Sequence, residues 1–461
     1  MSDIICAIST PPGMGAIAVI RLSGEGYIAL TDTLFCSPSG KKLVDAAPNT
    51  VHFGQIYSND EILDEVLITV FRAPHSFTGE DIVEISCHGS LYIQQKIIET
   101  LLQAGARMAQ AGEFTQRAFG NGKFDLSQAE AVADLIASSS KAAHRVAMNQ
   151  MRGGFAKQLS VLRDALLQFV SLIELELDFS EEDVEFANRE KLLELATKIE
   201  TDISRLLQSF QLGNAIKNGI PVAIIGETNA GKSTLLNLLL NEEKAIVSEI
   251  HGTTRDVIED TVNIQGIVFR LIDTAGIRET NDAIETMGIE RTFKKIEQAS
   301  IVLWMIDLTT PIEQIEHLAQ SLAPSLADKQ VIMLFNKSDL LSPEEIQSKL
   351  RIFPNLKAER LPISAKKNIN FDRLQQLLVD AANFPEIGEH DVIVTNLRHY
   401  EALKNAQTAI HRVIDGLNSG ITGDFLSQDI RECMFYLGEI TGQITTDEIL
   451  GSIFSKFCIG K

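Results

Sequence analysis

One loop of the sequence combines glycines with a lysine and a serine at the spacing that phosphate binding needs. The loop, residues 226–233, follows an apolar run of strand length at residues 220–225 and precedes a helix-forming stretch. It is a GxxxxGKS pattern in the required strand, loop and helix context. Its backbone N–H groups would face phosphates, the lysine would supply positive charge and the serine could ligate Mg²⁺. The residues predicted to bind nucleotide here are Asn229, Ala230, Gly231, Lys232, Ser233 and Thr234.

Three shorter motifs follow at the ends of predicted strands, in the order in which P-loop GTPases use them. They consist of Asp273, Thr274, Ala275 and Gly276, then Asn336, Lys337 and Asp339, and finally Ser364, Ala365 and Lys366. Asp273 can hold Mg²⁺ through water, and the Gly276 backbone can sense the γ-phosphate. Asp339 can accept hydrogen bonds from guanine N1 and the 2-amino group, a donor pair that adenine lacks. The sequence therefore predicts a GTP site and disfavours an ATP-dependent enzyme.

Two features bear on how the water that attacks GTP is activated. They are the segment after the P-loop and the residue that follows Gly276. Residues 248–256 predict a switch loop whose threonines could reach Mg²⁺ and the γ-phosphate. Where Ras-type GTPases carry a water-positioning glutamine, this chain has Ile277, which can neither donate nor accept a hydrogen bond. Asn229 and the switch loop could instead surround a monovalent cation beside the phosphates. Their spacing does not choose among the nearby carboxylates, which are Glu279, Asp282 and Glu285.

Length, charge and cysteine content bound the remaining possibilities. The chain has 461 residues, more than a single core organises, so two to four domains are expected. No apolar run approaches the ~18 to 20 residues of a membrane span, and the N-terminus lacks a signal-peptide pattern. Five cysteines without a CxxC pair favour a reducing compartment, so we expect the cytoplasm. A net charge of -21 disfavours a broad basic face for nucleic acid, although a local basic patch remains compatible.

The hydrophobic patterning predicts a multidomain α/β protein. Residues 1–118 alternate short β runs with helical ones and predict a small α+β domain. Its strands are expected at residues 4–8, 16–22, 51–57, 66–71 and 82–87. Residues 119–214 and 382–461 show helical periodicity, which in the second region runs on through residues 430–450. Residues 215–381 resemble a doubly wound parallel sheet, so we expect a Ras-like P-loop domain inserted into an all-α bundle.

Along its whole length the chain resembles the bacterial tRNA-uridine modification GTPases, the MnmE/TrmE family. Besides the GTPase motifs, the resemblance rests on N-terminal segments and on the last four residues. The segments are AISTPPG at 7–13, IRLSG at 20–24, SFTGED at 76–81, HG at 88–89, GEFT at 112–115, the stretch 123–131, and CIGK at 458–461. The C-terminal CxGK pattern is very specific to this family. The departures, at Glu227, Thr228 and Ile277, fall at positions expected to be tolerant.

The resemblance implies a homodimer formed through an N-terminal domain that is similar to folate-binding domains. That domain would take a tetrahydrofolate derivative, 5,10-methylene- or 5-formyl-tetrahydrofolate, as one-carbon source. The matching folate-binding positions are Arg21, Glu84, Lys123 and Lys461. The resemblance also implies a FAD-dependent partner of the MnmG (GidA) type, joined in a heterotetramer. The complex would install an aminomethyl or carboxymethylaminomethyl group at carbon 5 of the wobble uridine of certain tRNAs.

For the GTPase domain, the resemblance implies bound Mg²⁺ and K⁺ and the closure of two such domains on each other. It assigns Mg²⁺ to Ser233 and Thr254, and K⁺ to Asn229, Ser248, Ile250 and Thr253. It also selects Glu285 as the carboxylate that orients the attacking water, while Lys232 is expected to act on the phosphates. Two interpretations of Cys458 stay open, a nucleophile beside the folate and a small buried apolar residue.

An RNA-binding ribosome-assembly GTPase is the competing interpretation, because such proteins share this nucleotide-binding domain and can share the P-loop asparagine. They usually carry a compact RNA-binding module. In this chain the GTPase region instead interrupts an acidic helical region, and no aromatic-basic RNA signature accompanies it. The sequence therefore favours tRNA modification.

Overall fold

The structure is a computed structural model. It describes residues 3–59, 61–178, 189–241, 260–272, 293–351, 357–383, 388, 391–455, 457 and 459–460. The chain forms two compact units, each assembled from separate stretches of sequence. The first unit comprises residues 1–136, 148–201 and 402–461, and the second comprises residues 137–147 and 202–401.

The N-terminal region folds into a seven-stranded sheet with the strand order β3-β4-β5-β6-β2-β1-β7. The strands are β1 (Ile5–Ile8), β2 (Ile17–Ser23), β3 (Phe35–Cys36), β4 (Thr50–Ser58), β5 (Glu61–Phe71), β6 (Ile82–His88) and β7 (Arg107–Met108). Neighbouring strands are antiparallel except for β1 with β7. The five expected strands are confirmed. The edge strands β3 and β7 were not predicted, because two residues show no alternation.

Helices make up most of the rest of the described chain. They are α1 (Tyr27–Leu34), α2 (Leu91–Gln103), α3 (Glu113–Gly120), α4 (Leu126–Ala137), α5 (Lys141–Met151), α6 (Gly154–Asp178), α7 (Arg189–Asn218), α8 (Lys232–Asn241), α9 (Ile312–Leu326), α10 (Pro343–Lys349), α11 (Phe371–Ala382), α12 (Leu397–Ser419), α13 (Gly423–Thr441) and α14 (Asp447–Phe454). Within the described parts of the chain, none of them combines the length and apolar character that a membrane crossing needs.

The two faces of the N-terminal sheet have different roles. One face packs against α1 and α2 and buries Ile20, Ile68 and Ile97 completely. Alternation along β2 turns every second residue to the other face, which carries Arg21. Arg21 lies opposite Glu84 of β6 in the antiparallel register. The sheet therefore presents a charged pair on the face that α1 and α2 leave uncovered.

In the first unit, helices from distant parts of the sequence pack together. Glu200 of α7 accepts a hydrogen bond from Gln407 of α12 at 3.3 Å, and His411 Nε2 lies 3.3 Å from the same carboxylate. The helical periodicity of residues 430–450 is divided at Gly442, which adopts φ 81° and ends α13. Glycine adopts this left-handed conformation without strain, so the predicted helical region forms two helices, α13 and α14.

The second unit contains a six-stranded sheet with the order β13-β12-β11-β8-β10-β9. Its strands are β8 (Ile220–Gly226), β9 (Asp260–Ile264), β10 (Ile267–Leu271), β11 (Ile301–Asp307), β12 (Gln330–Asn336) and β13 (Glu359–Pro362). All neighbours are parallel except β9 with β10. One face packs on α8 and α11 and the other on α9, so β11 is buried on both faces and is apolar up to its last residue, Asp307. The parallel strands bring the loops at their carboxyl ends to one edge.

Candidate nucleotide-binding site

The GxxxxGKS segment forms the turn between β8 and α8, and two of its glycines are required by close contacts. Gly226 has φ +142°, and a Cβ there would lie 2.2 Å from the Met305 carbonyl oxygen. Gly231 has φ +103°, and a Cβ there would lie 2.2 Å from Nδ2 of Asn336. Asn229 also adopts a left-handed backbone, with φ 63°. The loop can hold this shape only without side chains at those two positions, which leaves backbone N–H groups available to an anion.

The lysine of this loop is held close to the loop backbone. Lys232 Nζ donates hydrogen bonds to the carbonyl oxygens of Gly226 and Glu227, each at 2.7 Å. Burial lowers the pKa of Lys232, and the charge of Lys295 lowers it further. Because an anion beside it would favour the charged form, this ammonium is suited to binding phosphate.

The side chain of Asn336 joins the phosphate-binding loop to the loop after β13. Its Nδ2 donates to the carbonyl oxygen of Ala230 at 2.7 Å, and its Oδ1 accepts from the backbone N–H of Ala365 at 3.0 Å. The side chain is buried, and both of these hydrogen bonds are buried as well. Asn336, the first residue of the NKxD motif, thus fixes the phosphate-binding loop and the loop at 364–366 to each other.

Asp339, the residue predicted to recognise guanine, lies in a polar cluster. The hydrogen bond from the Ser364 hydroxyl is the largest cause that lowers the pKa of Asp339, and Lys367 contributes further. Lys367 Nζ lies 3.2 Å from the Asp339 carboxylate. The carboxylate is therefore ionised at neutral pH and able to accept hydrogen bonds. The sequence analysis named Lys366 and did not name Lys367, because its position one residue beyond a motif gave no signal; both lysines are exposed.

Lys337 is another predicted site residue whose partner the sequence did not reveal. Its Nζ lies 2.5 Å from Oδ2 of Asp307, at the end of the neighbouring parallel strand β11. Asp307 lies opposite Asn336 in the parallel pairing of β11 and β12, so the loops that follow these two strands come together at the edge of the sheet. An acidic residue that ends an apolar strand was the available signal.

Several predicted site residues lie outside the described residues. They are Ser248, Ile250, Thr253, Thr254, Asp273, Thr274, Ala275, Gly276, Ile277, Glu279, Asp282, Glu285, Cys458 and Lys461. Ser233 and Thr234 are described and occupy the first turn of α8. The structure therefore brings together the P-loop, Asn336, Lys337, Asp339 and the loop at 364–366.

The described folate candidates lie in the N-terminal region around one loop. Arg21 pairs with Glu84 at 2.8 Å, and its guanidinium carbon lies 5.4 Å from the centre of the Phe77 ring and 5.7 Å from that of Phe114. Lys123 Nζ donates to the Pro74 carbonyl oxygen at 3.0 Å. Arg21 and Lys123 therefore contact the same loop, one through Phe77 and the other through Pro74.

Ile459 and Gly460, near the end of the chain, lie against the same region. Ile459 forms an antiparallel bridge with Ala111, and the Ser9 hydroxyl donates to the Gly460 carbonyl oxygen at 3.3 Å. A Cβ at Gly460 would lie 2.5 Å from the Ile8 carbonyl oxygen, so this position requires glycine. Gly460 thus lies against β1 of the N-terminal sheet.

The fold and the site define a P-loop GTPase: a parallel sheet with GxxxxGKS, NKxD and SAK loops at one edge. Residues 4–123 match the family model described as GTP-binding protein TrmE N-terminus, and residues 126–458 match that of the MnmE helical domain. The chain is 61% identical over 463 residues to the tRNA modification GTPase MnmE of Bacteroides thetaiotaomicron, covering 100% of this chain and 99% of that protein. The corresponding protein of Flavobacterium johnsoniae is 51% identical over 469 residues, with the same coverage. The chain belongs to the MnmE family of tRNA modification GTPases.

A solved structure with partial likeness contains Era in complex with MgGDPNP and nucleotides 1506-1542 of 16S ribosomal RNA. It is 30% identical, covers 41% of this chain and 66% of that chain, and has a TM-score of 0.26. The family assignment rests on the full-length relatives and the two family models.

Proposed function

We propose that this chain is a K⁺-activated GTPase that, with a FAD-dependent partner, modifies carbon 5 of the wobble uridine of tRNA. Membership of the tRNA modification GTPase family supports the overall role. The proposed GTPase activity rests on the two hydrogen bonds of the Asn336 side chain, which hold the phosphate-binding loop and the proposed base-binding loop in one site. The proposed product is a uridine that bears an aminomethyl or carboxymethylaminomethyl group.

In the proposed site, each described motif binds one part of GTP. The glycines at positions 226 and 231 leave a backbone cradle that fits a phosphate chain, and Lys232 would neutralise phosphate charge. Asp339 would accept the guanine donors, and the loop at 364–366 would close the base pocket. The full proposed set is Asn229, Ala230, Gly231, Lys232, Ser233, Thr234, Ser248, Thr253, Thr254, Asp273, Thr274, Ala275, Gly276, Asn336, Lys337, Asp339, Ser364, Ala365 and Lys366.

Two cations complete the proposed catalytic site. Mg²⁺ would be held by Ser233 and Thr254, and K⁺ by Asn229, Ser248, Ile250 and Thr253. When bound, these ions would stabilise negative charge that develops on the phosphates. Ile277 cannot orient the attacking water, and the resemblance to the family assigns that role to Glu285. Asn229 adopts a left-handed backbone, which is uncommon for a residue other than glycine, and this supports its part in the proposal.

We also propose that the N-terminal region binds a tetrahydrofolate derivative, either the 5,10-methylene or the 5-formyl form, as one-carbon source. The proposed contacts are Arg21, Glu84, Lys123 and Lys461. The paired Arg21 and Glu84 offer both donors and acceptors, and the rings of Phe77 and Phe114 beside them suit a flat heterocycle. The closure of Ile459 and Gly460 on this region supports a role for Lys461 there.

The proposed assembly is a homodimer through the N-terminal domain, joined by the FAD-dependent MnmG-type partner in a heterotetramer that acts on tRNA in the cytoplasm. Exposed apolar residues on the open face of the N-terminal sheet support the homodimer. Phe53 and Leu67 lie opposite each other on β4 and β5 and are 50% and 47% exposed, and Val51 is 59% exposed. Apolar surface of this kind is typical of an interface. The proposed domains are residues 1–118, 119–214, 215–381 and 382–461, with the third as the inserted GTPase domain.

Replacing K⁺ with Na⁺ at equal ionic strength is expected to slow GTP turnover by about tenfold or more, because the smaller Na⁺ would fit the K⁺ ligands poorly and the positive charge beside the phosphates would be lost. Turnover is measured by phosphate release with Mg²⁺ held constant. Equal rates in the two salts would contradict the cation proposal.

In a second measurement, the Glu285→Gln variant is expected to show reduced turnover in K⁺ with little change in GTP affinity.

Deleting the gene from its host is expected to remove the carbon-5 modification from the wobble uridine, because this chain would supply the GTPase of the modifying complex. Mass spectrometry of tRNA nucleosides measures the modified uridines. Complementation with the wild-type chain serves as the control. Normal nucleosides in the deletion strain would count against tRNA modification and would favour the ribosome-assembly alternative.

Changing Asp339 to Asn is expected to weaken GDP binding by about 10- to 100-fold, because a charged acceptor for guanine is replaced by an amide. Affinity for xanthosine diphosphate is expected to rise, since its ring carries an oxygen where guanine carries the amino group. Calorimetric titration with the two nucleotides measures both effects. An unchanged preference would show that Asp339 does not contact the base.

A further inference from the structure

The residue that follows Asn336 in the proposed base pocket has an unusual backbone. Lys337 adopts φ 66° and ψ 31°, a left-handed conformation that is uncommon for a residue other than glycine. It immediately follows β12, and it caps the short 3-10 turn Ser338–Leu340 that carries Asp339. Such a conformation persists only where surrounding contacts hold it. The contacts of Lys337 therefore matter for the shape of the pocket.

The side chain of Lys337 is held by Asp307 at the end of the adjacent strand. The two charged atoms are 2.5 Å apart, and the Asp307 side chain is only 12% exposed while that of Lys337 is 34% exposed. Burial alone would raise the pKa of Asp307. Hydrogen bonds from Lys337 and from Thr309 outweigh that effect and lower its pKa. Asp307 is thus a fixed negative charge near neutral pH.

Asp307 is itself clamped by its own turn. Its Oδ1 accepts hydrogen bonds from the Thr309 backbone N–H at 2.9 Å and from the Thr309 hydroxyl at 2.7 Å. The Thr310 N–H donates to the Asp307 carbonyl oxygen at 3.1 Å. Lys349 of α10 donates to the carbonyl oxygen of Thr310 at 3.2 Å and also to that of Leu308. The carboxylate therefore has little freedom to follow Lys337 if Lys337 moves.

We propose that Asp307 is a positioning residue of the guanine-nucleotide pocket and that it acts through Lys337. It fixes the Lys337 ammonium, so that the methylene stem of this lysine forms one ordered wall for the purine base. Long lysine stems bury well against apolar surfaces while the ammonium keeps its polar partner. Without Asp307, the side chain must be ordered each time a nucleotide binds, at a cost in conformational entropy. This inference rests on the proposed GTP site.

Asp307→Asn in the full chain is expected to speed dissociation of fluorescent GDP by about 3- to 10-fold, because a partly exposed charge pair is lost. The turnover number at saturating GTP is expected to stay within about twofold, since Asp307 does not act on the phosphates. Stopped-flow fluorescence gives the dissociation rate. Asp307→Glu, which keeps the charge, is expected to recover part of the loss. Asp328→Asn removes an exposed carboxylate just before the opposite end of β12 and is expected to change nothing.

A double-mutant cycle separates positioning from general destabilisation. In a Lys337→Met background, Asp307→Asn is expected to add no further increase in the dissociation rate, because its target is gone. If Asp307→Asn does not fold, Thr309→Val removes an exposed donor to Asp307 and is expected to speed dissociation by about twofold. Wild-type dissociation rates in the folded Asp307 or Thr309 variants, or full additivity with Lys337→Met, would overturn the inference. A wild-type chain that binds no GDP would instead overturn the proposed GTP site.

Discussion

The two hydrogen bonds made by the Asn336 amide are the constraint on which the nucleotide site depends. One end of the amide holds the Ala230 carbonyl in the phosphate-binding loop, and the other holds the Ala365 N–H in the loop after β13. Both are buried, so water cannot replace either of them at low cost. The close approach of Gly231 to the same amide leaves no room for a side chain at this position of the loop. A single side chain thus fixes the distance between the proposed phosphate and base contacts.

The surrounding residues extend this constraint along the edge of the sheet. Asp339 is held by Ser364 and Lys367, and Lys337 is held by Asp307. Each pair joins the ends of neighbouring parallel strands, which is the position where α/β sheets bind ligands. The P-loop, the NKxD turn and the loop at 364–366 therefore form one surface, although more than a hundred residues separate the first from the last. In the N-terminal region, ion pairs likewise join separate parts of the chain, since Arg117 contacts Asp3, Glu80 and Glu113.

Much of this arrangement was predictable from the sequence, because its motifs depend on local geometry. Glycine is needed where φ is positive, and a strand, a loop and a helix in succession predict the phosphate cradle. The long strands were also predictable from alternation or from continuous apolar runs. The partners of the motif residues were not. Asp307 meets Lys337, and Arg21 meets Glu84, only because the strand register aligns them, and register depends on the whole sheet. Lys367 was missed for a similar reason, since its role follows from the turn after Ser364.

Measuring GDP affinity after Asn336→Ala tests the central claim most directly. Loss of the two buried hydrogen bonds is expected to release both loops and to weaken binding by about 10- to 100-fold, equivalent to roughly 1.5 to 3 kcal/mol. Asn218→Ala, at an exposed position at the end of α7, is the matched control and is expected to bind GDP as the wild type does. Wild-type affinity in a folded Asn336→Ala chain would contradict the account, because the two loops would then keep their arrangement without this link.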